Sequence, residues 1–176
     1  TLNNPPGNNQ LAGSDFTLIE LNNNIPTSYN AYYAGWDRSN SSASSGVSIH
    51  HPAGSAKKIS TFTSPLSNAT YNGGAYNAHW AVNWSATTNG HGVTEGGSSG
   101  SPIFNQSKRI VGQLSGGSST CNFPNYSDLY GKMSENWTSN GTSNGAQLAY
   151  WLDPTNSNAT YMDGTYAPCG TSSLSC

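Results

Sequence analysis

The chain has 176 residues, a mass of 18.4 kDa and a formal net charge of −2, and only 8% of its residues are charged. So weak a charge leaves no electrostatic footprint for DNA, RNA or an anionic membrane, and no apolar run approaches the roughly 20 residues that cross a bilayer. The abundance of Asn, Ser, Thr and Gly, with 11% aromatic residues, excludes a disordered polar tract and suits one domain of short strands and polar turns.

Residues 1–14, rich in Pro, Gly and Asn, read as an N-terminal loop. Thr1 is not a translation start, so the chain reads as processed or incomplete there. Strand candidates follow at 16–21, 31–36, 46–51, 57–62, 78–84, 101–105, 109–115 and 128–133, separated by Gly, Asn, Ser and Pro clusters. That is an all-β pattern for a sandwich or barrel. One segment, "NGAQLAYWLDP", reads as a helix: Leu148, Trp151 and Leu152 fall on one face and Pro154 stops it. The tail from 165 to 176 reads as a linker or small stapled knob. Its Cys169 and Cys176 close a short ring and can pair with each other. Cys121 is then left over, either joined to something outside the chain or a buried free thiol.

The stretch "GVTEGGSSGSPIF" carries the chemistry. A serine becomes a nucleophile when a tight, glycine-bounded turn presents its hydroxyl and aims backbone N–H groups at the developing oxyanion. Gly97 and Gly100 flank Ser99 in this way, and Pro102 starts the next strand. Gly-Ser runs also form ordinary linkers, so the motif needs company. Asp15 stands at the mouth of the strand "FTLIEL", a rigid place for a carboxylate that orients an imidazole, although turn residues are often Asp. Asp128 leads another strand, where it is either a solvated loop residue or the base of a cation-selecting pocket. Nothing surrounds the adjacent His50 and His51 at metal-ligand spacing, and neither a metal nor a cofactor is expected.

The segments "SDFTLIEL", "AGWDRS", "IHHPAGSAKKIS", "GVTEGGSSGSPIF", "GQLSGGSSTC" and "SDLYGKM", in this order, resemble the bacterial lysyl endopeptidases, a secreted branch of the trypsin-like serine proteases. The resemblance runs from about residue 11 to residue 163. It implies a chymotrypsin-like double β-barrel, of which residues 15–164 are the end of the first barrel plus the second. It also implies that Asp15 is the triad aspartate, Ser99 the nucleophile, and the N–H groups of Gly97 and Ser99 the oxyanion hole. Asp128 is then the pocket acid favouring lysine, with Ser115, Gly116 and Tyr71 beside the substrate. Ser115 and Tyr71 stand where some relatives carry histidine and tryptophan.

The family order is His, Asp, Ser, and nothing precedes Asp15 here except a loop. His50, His51, His79 and His91 all lie downstream and are not expected to act as the triad base. The histidine is expected on an N-terminal segment outside this sequence, linked through Cys121. Expected partners are therefore that chain and a protein or peptide substrate, in an extracellular setting. The rival reading is a non-catalytic structural or adhesive β module derived from a protease.

Overall fold

The computed structural model describes residues 2–4, 15–71, 74–139 and 143–166. Alternation places Trp80, Val82 and Trp84 on one face of their segment, and all three are buried. They join Phe62, Ile103, Val111, Leu114 and Tyr130 in the main core. Around it run β4 (Gly46–His50), β5 (Lys58–Phe62), β6 (Ser67–Ala69), β7 (His79–Val82), β10 (Pro102–Asn105), β11 (Ile110–Gly117) and β12 (Asp128–Lys132). Their order is β5-β4-β10-β11-β12-β7-β6, with antiparallel neighbours throughout. Beyond β7, the Ser85 N–H donates to Thr61 O of β5 at 2.7 Å, which brings the two ends of the sheet together. The fold is all-β and chymotrypsin-like, with the C-terminal helix α2 at Leu148–Leu152.

A second apolar cluster lies outside this curled sheet. Phe16 of β2 (Phe16–Leu18), Trp36 of β3 (Trp36–Asp37), Met133 and Trp137 around α1 (Met133–Asn136), and Leu148 of α2 form it. Trp36 and Trp137 stack with centroids 4.6 Å apart, and the Arg38 guanidinium lies 4.8 Å over Trp137. This cluster ties the start of the described chain to the outer side of β11.

Several local readings change. Within the expected N-terminal loop, Leu2–Asn4 forms β1, antiparallel to β2. The segment 31–36 yields only Trp36–Asp37 and a single bridge from Tyr33 to Thr165. The strands β6, β8 (Ala86–Thr87), β9 (Gly90–His91) and β13 (Tyr161–Met162) are 2–3 residues each, too short to leave an alternation signal. Trp151 does not join the helix's buried face: it is exposed, and its indole N–H donates to Gly145 O at 2.9 Å. The β4–β5 pair is inverted. Ile49 and Ile59 face out opposite each other, while Ser48, His50 and Ser60 face in. The tail from 167 to 176, with Cys169 and Cys176, lies outside the described residues.

Phe62 has no exposed surface, and its ring fills the space above Gly46, its register partner. Phe62→Ala is expected to lower unfolding free energy by about 3–5 kcal/mol in urea titration. A loss below about 1 kcal/mol would show that this part of the barrel is not close-packed.

Candidate active site

The Ser99 loop begins with backbone that only glycine adopts freely: φ is +95° at Gly97 and +79° at Gly100. The Ser98 N–H donates to Glu95 O at 2.9 Å and the Ser101 N–H to Ser98 O at 3.0 Å, so two tight turns bracket Ser99. Behind the loop, the Gly100 N–H donates to Leu114 O at 2.8 Å, the Leu114 N–H to Ser101 O at 2.9 Å and the Ala53 N–H to Gly96 O at 2.7 Å. Ser99 itself is exposed, and neither its N–H nor that of Gly97 is bonded to any described residue. Two idle donors thus flank an exposed hydroxyl.

The inverted β4–β5 pair explains how the loop is held. The Ser60 hydroxyl donates to Val93 O at 3.1 Å, so it accepts from His50 Nε2 at 3.0 Å. His50 Nδ1, 2.9 Å from Ser98 Oγ, is then the acceptor for that hydroxyl. Ser98 Oγ in turn accepts from the Glu95 N–H at 3.3 Å. All three side chains are buried. Burial pulls His50 below the usual histidine range, with a small opposing effect of Asp128 and a reinforcing one of His51, and the neutral ring is the form this network needs.

Asp15 and Ser99 line one cavity of about 710 Å³, whose other walls include Phe16, Trp36, Gln113 and Leu148. Asp15 has a left-handed backbone, φ +61°. Its carbonyl accepts from Gln113 Nε2 at 3.1 Å, and Gln113 is itself gripped by Asn136 Nδ2 at 2.7 Å. Its half-buried carboxyl is raised by desolvation above the usual aspartate range, and a hydrogen bond from Ser115 partly offsets this.

Asp128 is buried rather than solvated. Its carboxylate accepts from Trp84 Nε1 at 2.6 Å, Thr94 Oγ1 at 2.6 Å, Ser119 Oγ at 2.5 Å and the Ser119 N–H at 3.0 Å. Ser119 Oγ also lies 3.3 Å from Thr94 O, a second acceptor for its proton. Sequence reading missed Trp84, Thr94 and Ser119; the available signal was that a buried carboxylate requires donors. Tyr71, Ser115 and Gly116 do converge, with the Tyr71 hydroxyl packed against Gly116. With them comes His79, fully buried on β7, whose Nε2 lies 3.1 Å from Ser115 Oγ and whose ring tilts against Tyr71 at 5.5 Å.

The histidines all have other partners: His51 Nδ1 faces Ser55 O at 3.3 Å and His91 Nε2 faces Trp84 O at 2.9 Å. Among the described residues, no histidine bonds to Ser99 or Asp15. Cys121 is exposed rather than buried and forms no disulfide with a described residue. A hydrogen bond to Glu95 pushes its thiol up.

Residues 7–131 match the protein family described as "Lysyl endopeptidase, C-terminal domain". A protein named lysyl endopeptidase from Pseudomonas aeruginosa is 34% identical over 135 residues, covering 70% of this chain. The match spans 27% of that relative's length.

Desolvation, then the charge of Lys132, lower His79 to about 4. An unfolded imidazole protonates near pH 6.5, so His79 contributes stability that is fully present above that pH and lost as pH falls towards 4, about 3 kcal/mol in all. Urea midpoints measured between pH 7 and 4 should fall accordingly, and much less in His79→Gln. Parallel profiles for the two proteins would contradict the burial of a neutral ring.

Proposed function

The chain belongs to the lysyl endopeptidase family, and from this premise we propose that it supplies the nucleophile, the triad carboxylate and the lysine-selecting pocket of a secreted serine endopeptidase. The observation that carries the reading is the Ser99 loop: an exposed serine beside two N–H groups that have no partner among the described residues, on a turn locked from behind by buried hydrogen bonds. Ser99 Oγ attacks the carbonyl carbon of the peptide bond following a lysine. A histidine from a segment outside this sequence takes the hydroxyl proton, and Asp15 orients that histidine. The Gly97 and Ser99 N–H groups stabilise the oxyanion. The histidine then protonates the leaving amine, and water releases the acyl group from Ser99.

Asp128 acts as the fixed negative charge of the pocket. Two of its four donors are hydroxyls, and Ser119 has Thr94 O as an alternative acceptor. An arriving ammonium can therefore donate to Asp128 while Ser119 turns away, at little cost in unmade bonds. Exposed Cys121 is the attachment point for the partner segment.

The same observation weighs against a non-catalytic module. A relic has no physical reason to keep an exposed serine, two idle N–H groups and a buried carboxylate cage together. In its favour stands the fact that no histidine of this chain bonds to Ser99.

With the protein isolated from its natural source, lysyl peptides should be cleaved with kcat/KM at least about 100-fold above norleucyl analogues, corresponding to about 3 kcal/mol for one cation in the pocket. Equal turnover of the two would remove Asp128 from specificity. No turnover of either would favour the non-catalytic module.

A further inference from the structure

We propose that Gln113 is a positioning residue for Asp15, held in that role by Asn136; this rests on Asp15 being the triad carboxylate. Among the described residues, the strand β2 that follows Asp15 pairs with β1, in a two-stranded sheet separate from the curled one. No ladder of the main sheet therefore fixes Asp15 against the serine loop. A side chain makes the link instead: Gln113 Nε2, on β11, donates to the Asp15 carbonyl at 3.1 Å.

A bulge aims that side chain. Between Phe104, opposite Ile110, and Ile103, opposite Gly112, the β10–β11 register slips, and Val111 is the extra residue. Strict alternation would put Gln113 on the same side as Val111, towards the barrel core. With the extra residue, Val111 and Leu114 face the main core, and Ile110 packs against the outer cluster. Gln113 then reaches the cavity that Asp15 and Ser99 line. Its register partner on β12 is Gly131, which has no side chain to crowd it.

Chemistry fixes the direction of each bond. A backbone carbonyl only accepts, so Gln113 turns Nε2 to Asp15 and Oε1 away from it. That oxygen accepts from Asn136 Nδ2 at 2.7 Å. Asn136 belongs to α1, has no exposed surface and stands next in sequence to Trp137 of the outer cluster. A flipped Gln113 would set one oxygen against another at Asp15, and the Asn136 amide holds it the other way.

The strand β11 thus acts as a ruler between two residues. Leu114, the neighbour of Gln113, grips the serine loop through its backbone. The Gly100 N–H donates to Leu114 O at 2.8 Å, and the Leu114 N–H donates to Ser101 O at 2.9 Å. Asp15 and the Ser99 turn are therefore tied to consecutive residues of one strand. That sets the spacing into which an imidazole must fit between carboxylate and hydroxyl. Asp15 has φ +61°, an uncommon conformation for a residue with a side chain, which the Gln113 bond helps to hold.

The test compares lysyl-peptide turnover by the assembled enzyme and by its Gln113 variants, counted per titrated Ser99. Gln113→Met keeps the length of the side chain and loses both bonds. Gln113→Glu keeps the acceptor for Asn136 and, when ionised, loses only the donor to Asp15. Each should lower kcat about 10- to 100-fold with KM within about twofold of wild type, as when a reacting group is misplaced and substrate binding is untouched. Gln113→Met should also move the acidic limb of the kcat/KM profile to lower pH, because a displaced Asp15 stabilises the imidazolium less. Counting per titrated site removes misfolded molecules, and Gln113→Glu gives the reading where Gln113→Met does not fold. A kcat within about twofold of wild type, or a loss carried by KM alone, overturns the role. If the wild type cleaves lysyl peptides and the variants match it, only this role fails. An inactive wild type overturns the proposed function, and the role with it.

Discussion

The serine loop depends on one buried chain of hydrogen bonds, from Val93 O through Ser60, His50 and Ser98 to the Glu95 N–H. A turn with two positive-φ glycines has little intrinsic reason to stay in one shape, because glycine loses the most conformational freedom on ordering. The chain of hydroxyls and imidazole supplies what the turn lacks. It operates where water is excluded, so each unmade bond costs more than it would at the surface. The barrel accepts an inverted strand pair for this purpose. Ile49 and Ile59 are turned outward so that Ser48, His50 and Ser60 can face the loop.

The same arrangement recurs at the other two carboxylates. Asp128 is enclosed by an indole, two hydroxyls and a backbone N–H, and Asp15 is held at its carbonyl by the Gln113 amide, itself gripped by Asn136. A buried carboxylate needs such donors, because an unpaired charge away from water is costly. The residues around Asp15 belong to the outer cluster and to β11, whereas those around Ser98 belong to β4 and β5. Asp15 and Ser99, held from these different elements, line one cavity.

Much of this was legible in the residues. The glycines around Ser99, the aspartate leading "FTLIEL" and the order of six segments pointed to the family, and the long strands follow their alternation. Less was legible where tertiary demand overrides pattern. In β4 and β5 the apolar Ile49 and Ile59 face outward while the polar Ser48, His50 and Ser60 face inward, an arrangement that serves hydrogen bonds to a loop some 50 residues away. Helical spacing put Trp151 with Leu148, but the indole N–H needed a carbonyl and found Gly145. His79 sits among Trp and Val in "AHWAVNW", which marks it as buried. The bulge that delivers Ser115 to it has no local sequence signature.

The most direct measurement is reaction of the protein from its natural source with a serine-directed fluorophosphonate, followed by peptide mapping of this chain. A single adduct on Ser99, lost when the protein is unfolded beforehand, is the expected result. An unmodified Ser99, or an adduct spread over several of the chain's serines, would contradict the assignment of Ser99 as the nucleophile.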